Sequence, residues 1–244
     1  MQTHPAQKTD DGIKITDPYS GQERTYHRII GAVAYGDPSG IDTELSNPAL
    51  VVAGELIDER LRLIREFQGE SQTPFDELKA EMIRLKDEYL VSVYFVAQDK
   101  LLFRDLVETD GLTYYKHDIG KKGLRDQPLY KEKEPEKVWP SFRNHRTMAA
   151  LAKLPDRLLD ELSAAVILAD RLARDGVLLW EPLTMKRLDR IMKEPLEDRR
   201  KNPVYLAYVY AVWLLWQNAQ ANKLDVNPDE TRRFSWKDYH KQNR

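Results

Sequence analysis

The chain has 244 residues, 41% of them hydrophobic, enough for one large domain or two small ones around a true core. Its 38 Lys and Arg nearly balance 40 Asp and Glu, so bulk charge does not advertise nucleic-acid binding and any basic surface must be a local patch. With no cysteine, disulfides, thiolate catalysis and cysteine-ligated zinc or iron–sulfur sites are excluded. The opening residues lack a basic start followed by an apolar run, so no secretory signal is expected. The longest apolar run, 204–216, falls short of the roughly 20 residues that span a bilayer, and a cytoplasmic protein without a membrane span is expected.

In chain order, residues 1–24 are polar and punctuated by Asp17-Pro18 and Ser20-Gly21, which predicts a flexible arm or a turn. From Tyr26 to Tyr35 the chain is rich in β-branched and aromatic residues and apolar on both faces after Arg28, as in a central strand. It ends in the turn sequence Gly36-Asp37-Pro38-Ser39-Gly40. Ala49 to Ile57 predicts a second buried strand, Asp58-Glu59 a tight turn, and Arg60 to Phe67 a third strand. Leu63 interrupts the alternation there and leaves a short helix as the competing reading. Thr73 as N-cap and Pro74 at the first position open a helix whose Phe75, Leu78, Met82, Leu85 and Tyr89 share one face. Leu90 to Val96 predicts a fourth strand, with Gln98-Asp99 at its carboxyl end, where open α/β sheets bind ligands. A short helix over 100–108 and a fifth strand over 112–116 complete this block.

The remainder reads as helical after a polar loop or linker over 117–138. Ser141 caps a helix to Leu154, and Pro155 opens a longer one with the stripe Leu158, Leu162, Val166, Ala169 and Leu172, ended by Asp175-Gly176. Val177 to Trp180 suits a short strand. Thr184 is placed to cap a helix with Leu188, Ile191 and Met192 inward, and Asn202 with Pro203 to start a final helix over 204–222. The tail over 223–244 is polar, and no internal repeat is present.

The series strand, strand, strand, helix, strand, short helix, strand and then helices resembles the ribonuclease H-like superfamily, and within it the nuclease domain of phage terminase large subunits. The matching pieces are Ile30-Gly31-Ala32-Val33, Leu50 to Glu55, Glu66-Phe67-Gln68-Gly69, and Tyr89-Leu90-Val91 leading into Tyr94 to Asp99. The resemblance implies an α/β fold, a ribonuclease H-like mixed sheet with a helical C-terminal half. Its expected parts are an arm over 1–24, an α/β core over 25–116, the linker, a helical region over 139–222 packing on the core, and the tail.

Such nucleases cut phosphodiesters with two divalent metals, Mg²⁺ or Mn²⁺, which polarise the phosphate and activate water and need several converging carboxylates. The family places an aspartate within the first strand shortly after a glycine, where this chain has Val33. Asp37 at that strand's end is the substitute candidate, with turn formation as its other role. Asp99 matches the carboxylate after the fourth strand and also suits an N-cap. The third carboxylate lies near the start of the last helix, where Asn202 stands with Glu197 and Asp198 upstream, Asn202 being more simply a cap. The expected catalytic set is therefore Asp99, Asp37 and Asp198, with Asp99 and Asp37 as metal ligands, and convergence of Asp37, Glu55, Asp99 and Asp198 is the geometric requirement.

With one of three acidic positions filled, the resemblance points to a catalytically degenerate phage or prophage protein of the host cytoplasm, associated with DNA packaging or processing. The alternative is a non-enzymatic structural or interaction protein that uses the fold as a scaffold and the C-terminal helices for assembly. Arg187, Arg190, Arg199, Arg200 and Lys201, with Lys186 and the segment Arg143, His145 and Arg146, are the candidate DNA-backbone contacts. The same residues, beside Asp189, Glu194, Glu197 and Asp198, also suit a solvated face. Tyr205, Tyr208, Tyr210, Trp213 and Trp216 read as core or, in part, as a homo-oligomer contact. Packaging proteins are the other expected partners. Gly120-Lys121-Lys122-Gly123 lacks the ending of a phosphate loop, no Gly-x-Ser-x-Gly elbow is present, and the five histidines lack ligand spacing.

Overall fold

A computed structural model describes residues 6–16, 21–35, 47–70, 73–96, 114–116 and 161–223. Asp37, Asp99, the turn over 36–40, the helices expected over 100–108 and 141–154, the linker and the tail lie outside the described residues. Within them the chain forms one mixed, mostly antiparallel sheet of eight strands with helices, an α/β arrangement.

The strands are β1 (Gln7–Thr9), β2 (Gly12–Thr16), β3 (Glu23–Tyr35), β4 (Pro48–Leu56), β5 (Leu61–Gln68), β6 (Val93–Val96), β7 (Tyr114–Lys116) and β8 (Leu178–Leu179). The helices are α1 (Pro74–Tyr89), α2 (Glu161–Arg174), α3 (Lys186–Ile191), α4 (Leu196–Arg199) and α5 (Pro203–Lys223). β3, β4 and β5 form an antiparallel meander, β6 runs parallel to β3, β7 parallel to β6, and β8 parallel to β5. Thirteen-residue β3 is long enough to carry two neighbours on one side, β2 along its amino half and β6 along its carboxyl half.

Residues 7–16, read from the sequence as part of a flexible arm, instead form the β1–β2 hairpin. The cause is local: Ile13 and Ile15 alternate with Lys14 and Thr16, so one face of the strand is apolar, and Ile15 is buried against the sheet's core. The free edge of β3 supplies the hydrogen bonds.

Arg60 to Phe67 is a strand, and the interrupted alternation has a geometric cause. Ala53 faces Leu63 and Val52 faces Arg65 in register, so Ile64 is an extra residue in a bulge. The bulge lets Leu63 pack on one face of the sheet while Ile64 and Phe67 pack on the other. His27 is the matching extra residue between Tyr26 and Arg28 in β3.

Two apolar layers cover the sheet. On one face Ile29, Val33, Leu50, Val52 and Tyr94 pack against Leu78, Met82 and Leu85 of α1. Gly31 has no side chain because the Tyr94 ring lies over it, and the Tyr94 hydroxyl donates to the Met82 carbonyl at 2.6 Å, tying sheet to helix. On the other face the small residues Ala32, Ala34, Ala49 and Ala53 let α5 approach closely. Every residue of α5 from Val204 to Trp216 is at most 8% exposed. The aromatic group on it is therefore core, with Trp213 and Trp216 stacked at 6.4 Å, and these side chains are not displayed as an oligomer surface. Among the described residues, no helix is long and apolar enough to cross a membrane.

Candidate functional site

Because β4 is antiparallel to both β3 and β5, and β6 is parallel to β3, the carboxyl ends of β3, β5 and β6 lie along one end of the sheet. Residues of a ligand site in an α/β sheet collect at such an end. Val33 stands near it in β3, between Leu50 and Val96 in register, with no exposed surface and α1 packed above it. Its side chain offers no oxygen to a cation.

The expected carboxylates do not converge where they are described. Glu55 sits at the other end of the sheet, opposite Leu61, buried in an ion pair with Arg28 at 3.1 Å. Burial lowers the Arg28 guanidinium from its ordinary value, an effect that Glu55 opposes by charge and hydrogen bond. Asp198 is exposed on α4, 3.8 Å from Lys201. Asn202 accepts the Val204 backbone N–H at 3.0 Å and is the cap of α5. Asp37 and Asp99 lie outside the described residues, and among those residues no group of three acidic or histidine side chains could hold a metal ion.

What gathers at the carboxyl end of β5 is a different constellation. Glu66 accepts the backbone N–H groups of Arg187 at 2.6 Å and Leu188 at 2.9 Å, at the start of α3. Burial pushes its carboxyl above the ordinary glutamate range, against the pull of those two N–H groups and of Arg187 and Arg65. The Arg187 guanidinium donates to Gln68 at 3.1 Å and to the carboxylate of Glu70. Thr184, expected to cap this helix, turns its hydroxyl to the Glu181 carbonyl at 3.0 Å, and Met185 occupies the N-cap with no side-chain capping bond. Glu66 replaces the missing cap from across the fold.

The basic candidates divide by environment. Arg187 is drawn into the cluster just described. Arg199 lies 3.9 Å from Asp170 of α2 with its guanidinium 5.3 Å from the Tyr205 ring centroid, so it joins α2, α4 and α5 rather than facing solvent. Arg190, Arg200 and Lys201 are exposed. Around Arg199, burial raises the Asp170 carboxyl and pushes the Tyr205 hydroxyl up to about 12. Among the described residues, Asp170 Oδ1, Arg199 Nε and the hydroxyls of Tyr205 and Tyr208 are buried without hydrogen-bond partners.

The chain matches no family model, no curated protein and no solved structure. Sequence reasoning quoted Glu66 only within a strand motif, and its signal as a cap was indirect, the lack of a polar residue at Met185. Asp170 carried no signal, since an acidic residue beside the apolar stripe of an amphipathic helix reads as solvated.

Proposed function

We propose that this chain is a ribonuclease H-like protein, similar to the nuclease domain of phage terminase large subunits, that acts around DNA packaging or processing as a catalytically degenerate scaffold. The supporting topology is the β3–β4–β5 meander followed by α1 and then two strands, β6 and β7, parallel to β3. The observation that carries degeneracy is Val33, a fully buried apolar side chain where the family needs a metal ligand. A charged oxygen ligand there would be desolvated by Leu50, Val52 and α1, so the described residues do not fit a two-metal site.

The test uses the full chain with supercoiled plasmid DNA and a thermal melt, each with Mg²⁺, Mn²⁺ or chelator. The expected outcome is an unchanged melting temperature and intact plasmid. Metal-dependent cleavage would overturn degeneracy, and Asp37 and Asp99 would then be the first residues to exchange.

The scaffold reading in which DNA contact is minor has its own support. Of the basic candidates, Arg187 and Arg199 are spent on internal contacts, Lys186, Arg190, Arg200 and Lys201 are exposed, and Arg143, His145 and Arg146 lie outside the described residues. With two of the candidates held internally, weak binding with a shallow salt dependence is expected.

A further inference from the structure

Where α2, α4 and α5 pack together, four polar side chains follow one another through the interior. Asp170 of α2 stands 3.9 Å from Arg199 of α4, the Arg199 guanidinium lies 5.3 Å from the Tyr205 ring centroid, and the rings of Tyr205 and Tyr208 in α5 are 5.6 Å apart. This junction is separate from the Glu66 cluster and from the expected carboxylates, and does not depend on the ribonuclease H-like reading.

Tyr205 and Tyr208 have no exposed surface, and burial pushes both hydroxyls up, so each keeps its proton at neutral pH and has one O–H to donate. Neither hydroxyl has a hydrogen-bond partner among the described residues. Arg199 Nε is a third donor in the same condition, and Asp170 Oδ1 is an acceptor in it. The set is chemically complementary, yet its members stand off from one another. The separation of Arg199 Nη1 from Asp170 Oδ1, at 3.9 Å, exceeds the roughly 3.2 Å of a direct hydrogen bond. Leaving three donors and an acceptor unpaired away from water costs free energy comparable to several lost hydrogen bonds. Water removes that cost, because it both donates and accepts, bridges polar groups too far apart to bond directly, and takes about three polar partners when buried. Asp170's side chain is 30% exposed, which gives the junction a route to solvent.

We propose that the junction of α2, α4 and α5 is an internal water-binding site, in which bound water joins the Tyr205 and Tyr208 hydroxyls and Arg199 Nε to Asp170. The site also fixes α4. That helix buries none of its own residues, and Arg199 ties it to α2 and α5.

The full chain is studied by NMR, reading cross-relaxation between tyrosine hydroxyl protons and water, and by thermal melts of Tyr205→Phe, Tyr208→Phe and the double variant. The expected spectrum shows slowly exchanging hydroxyl protons in contact with long-lived water, one signal vanishing in each phenylalanine variant. Each single variant is expected to melt about 2–4 °C lower, and the double variant to lose less than the sum, because the two hydroxyls share the bound water. Unchanged or higher melting temperatures in both single variants would mean dry hydroxyls and overturn the proposal. Absence of cross-relaxation to water would overturn it as well, since the hydroxyls would then bond protein groups directly or not at all. That spectrum is read on the unaltered chain, so it decides the matter even where a variant fails to fold.

Discussion

Glu66 does for α3 what that helix's own sequence cannot, supplying a capping carboxylate from β5 where Met185 offers none. Alanine at this position leaves two part-buried N–H groups unsatisfied, and chemical denaturation is expected to show a loss of about 1–3 kcal/mol. The pH dependence follows from burial, which raises the Glu66 carboxyl, and Asp170 is raised for the same reason. In the window between each group's ordinary value and its raised folded value, the native state holds more protons than the unfolded chain. The contribution is thus complete below the ordinary value and lost as pH rises through the folded one. Stability measured across the mildly acidic range should fall with rising pH, with a smaller slope in Glu66→Gln; an identical slope would exclude Glu66 as its source. These roles were not legible because their partners are distant in the chain, and pattern rules see only neighbours. Asn202, by contrast, caps its own helix two residues on, and its role was readable.

At the scale of elements, amphipathic spacing and turn residues located the meander, α1 and α5, since each obeys a period set by backbone geometry. The β1–β2 hairpin was missed because its polar composition outweighed the short alternation around Ile13 and Ile15. Leu63 was ambiguous because a bulge, defined by the partner strand, had shifted the side-chain phase. The row Ala32, Ala34, Ala49 and Ala53 takes its meaning from the aromatic helix that packs on it. Ala32 has no exposed surface and packs in the cluster that holds α5. Ala32→Leu is expected to destabilise by about 1–3 kcal/mol, read as a shift in urea midpoint at constant slope. A neutral effect would mean that α5 can move off the sheet.

For the whole molecule, Val33 decides between core and chemistry. Introducing the family's aspartate puts a carboxylate between Leu50, Val96 and α1 without a partner. Val33→Asp is expected to lose at least about 3 kcal/mol, or to fail to fold, and not to gain metal-dependent cleavage. A stable variant that binds Mn²⁺ would show that the surrounding architecture still holds a metal site.

The sequence by itself determined the kind and order of most elements here, and the apolar identity of Val33, because these depend on residue type and on spacing along one segment. Only the tertiary structure decided which charges are used internally, where Glu66 and Arg187 meet, and that Asp170, Arg199, Tyr205 and Tyr208 share a junction. Those outcomes depend on register, bulges and the packing of helices on a sheet, which join residues far apart in the chain.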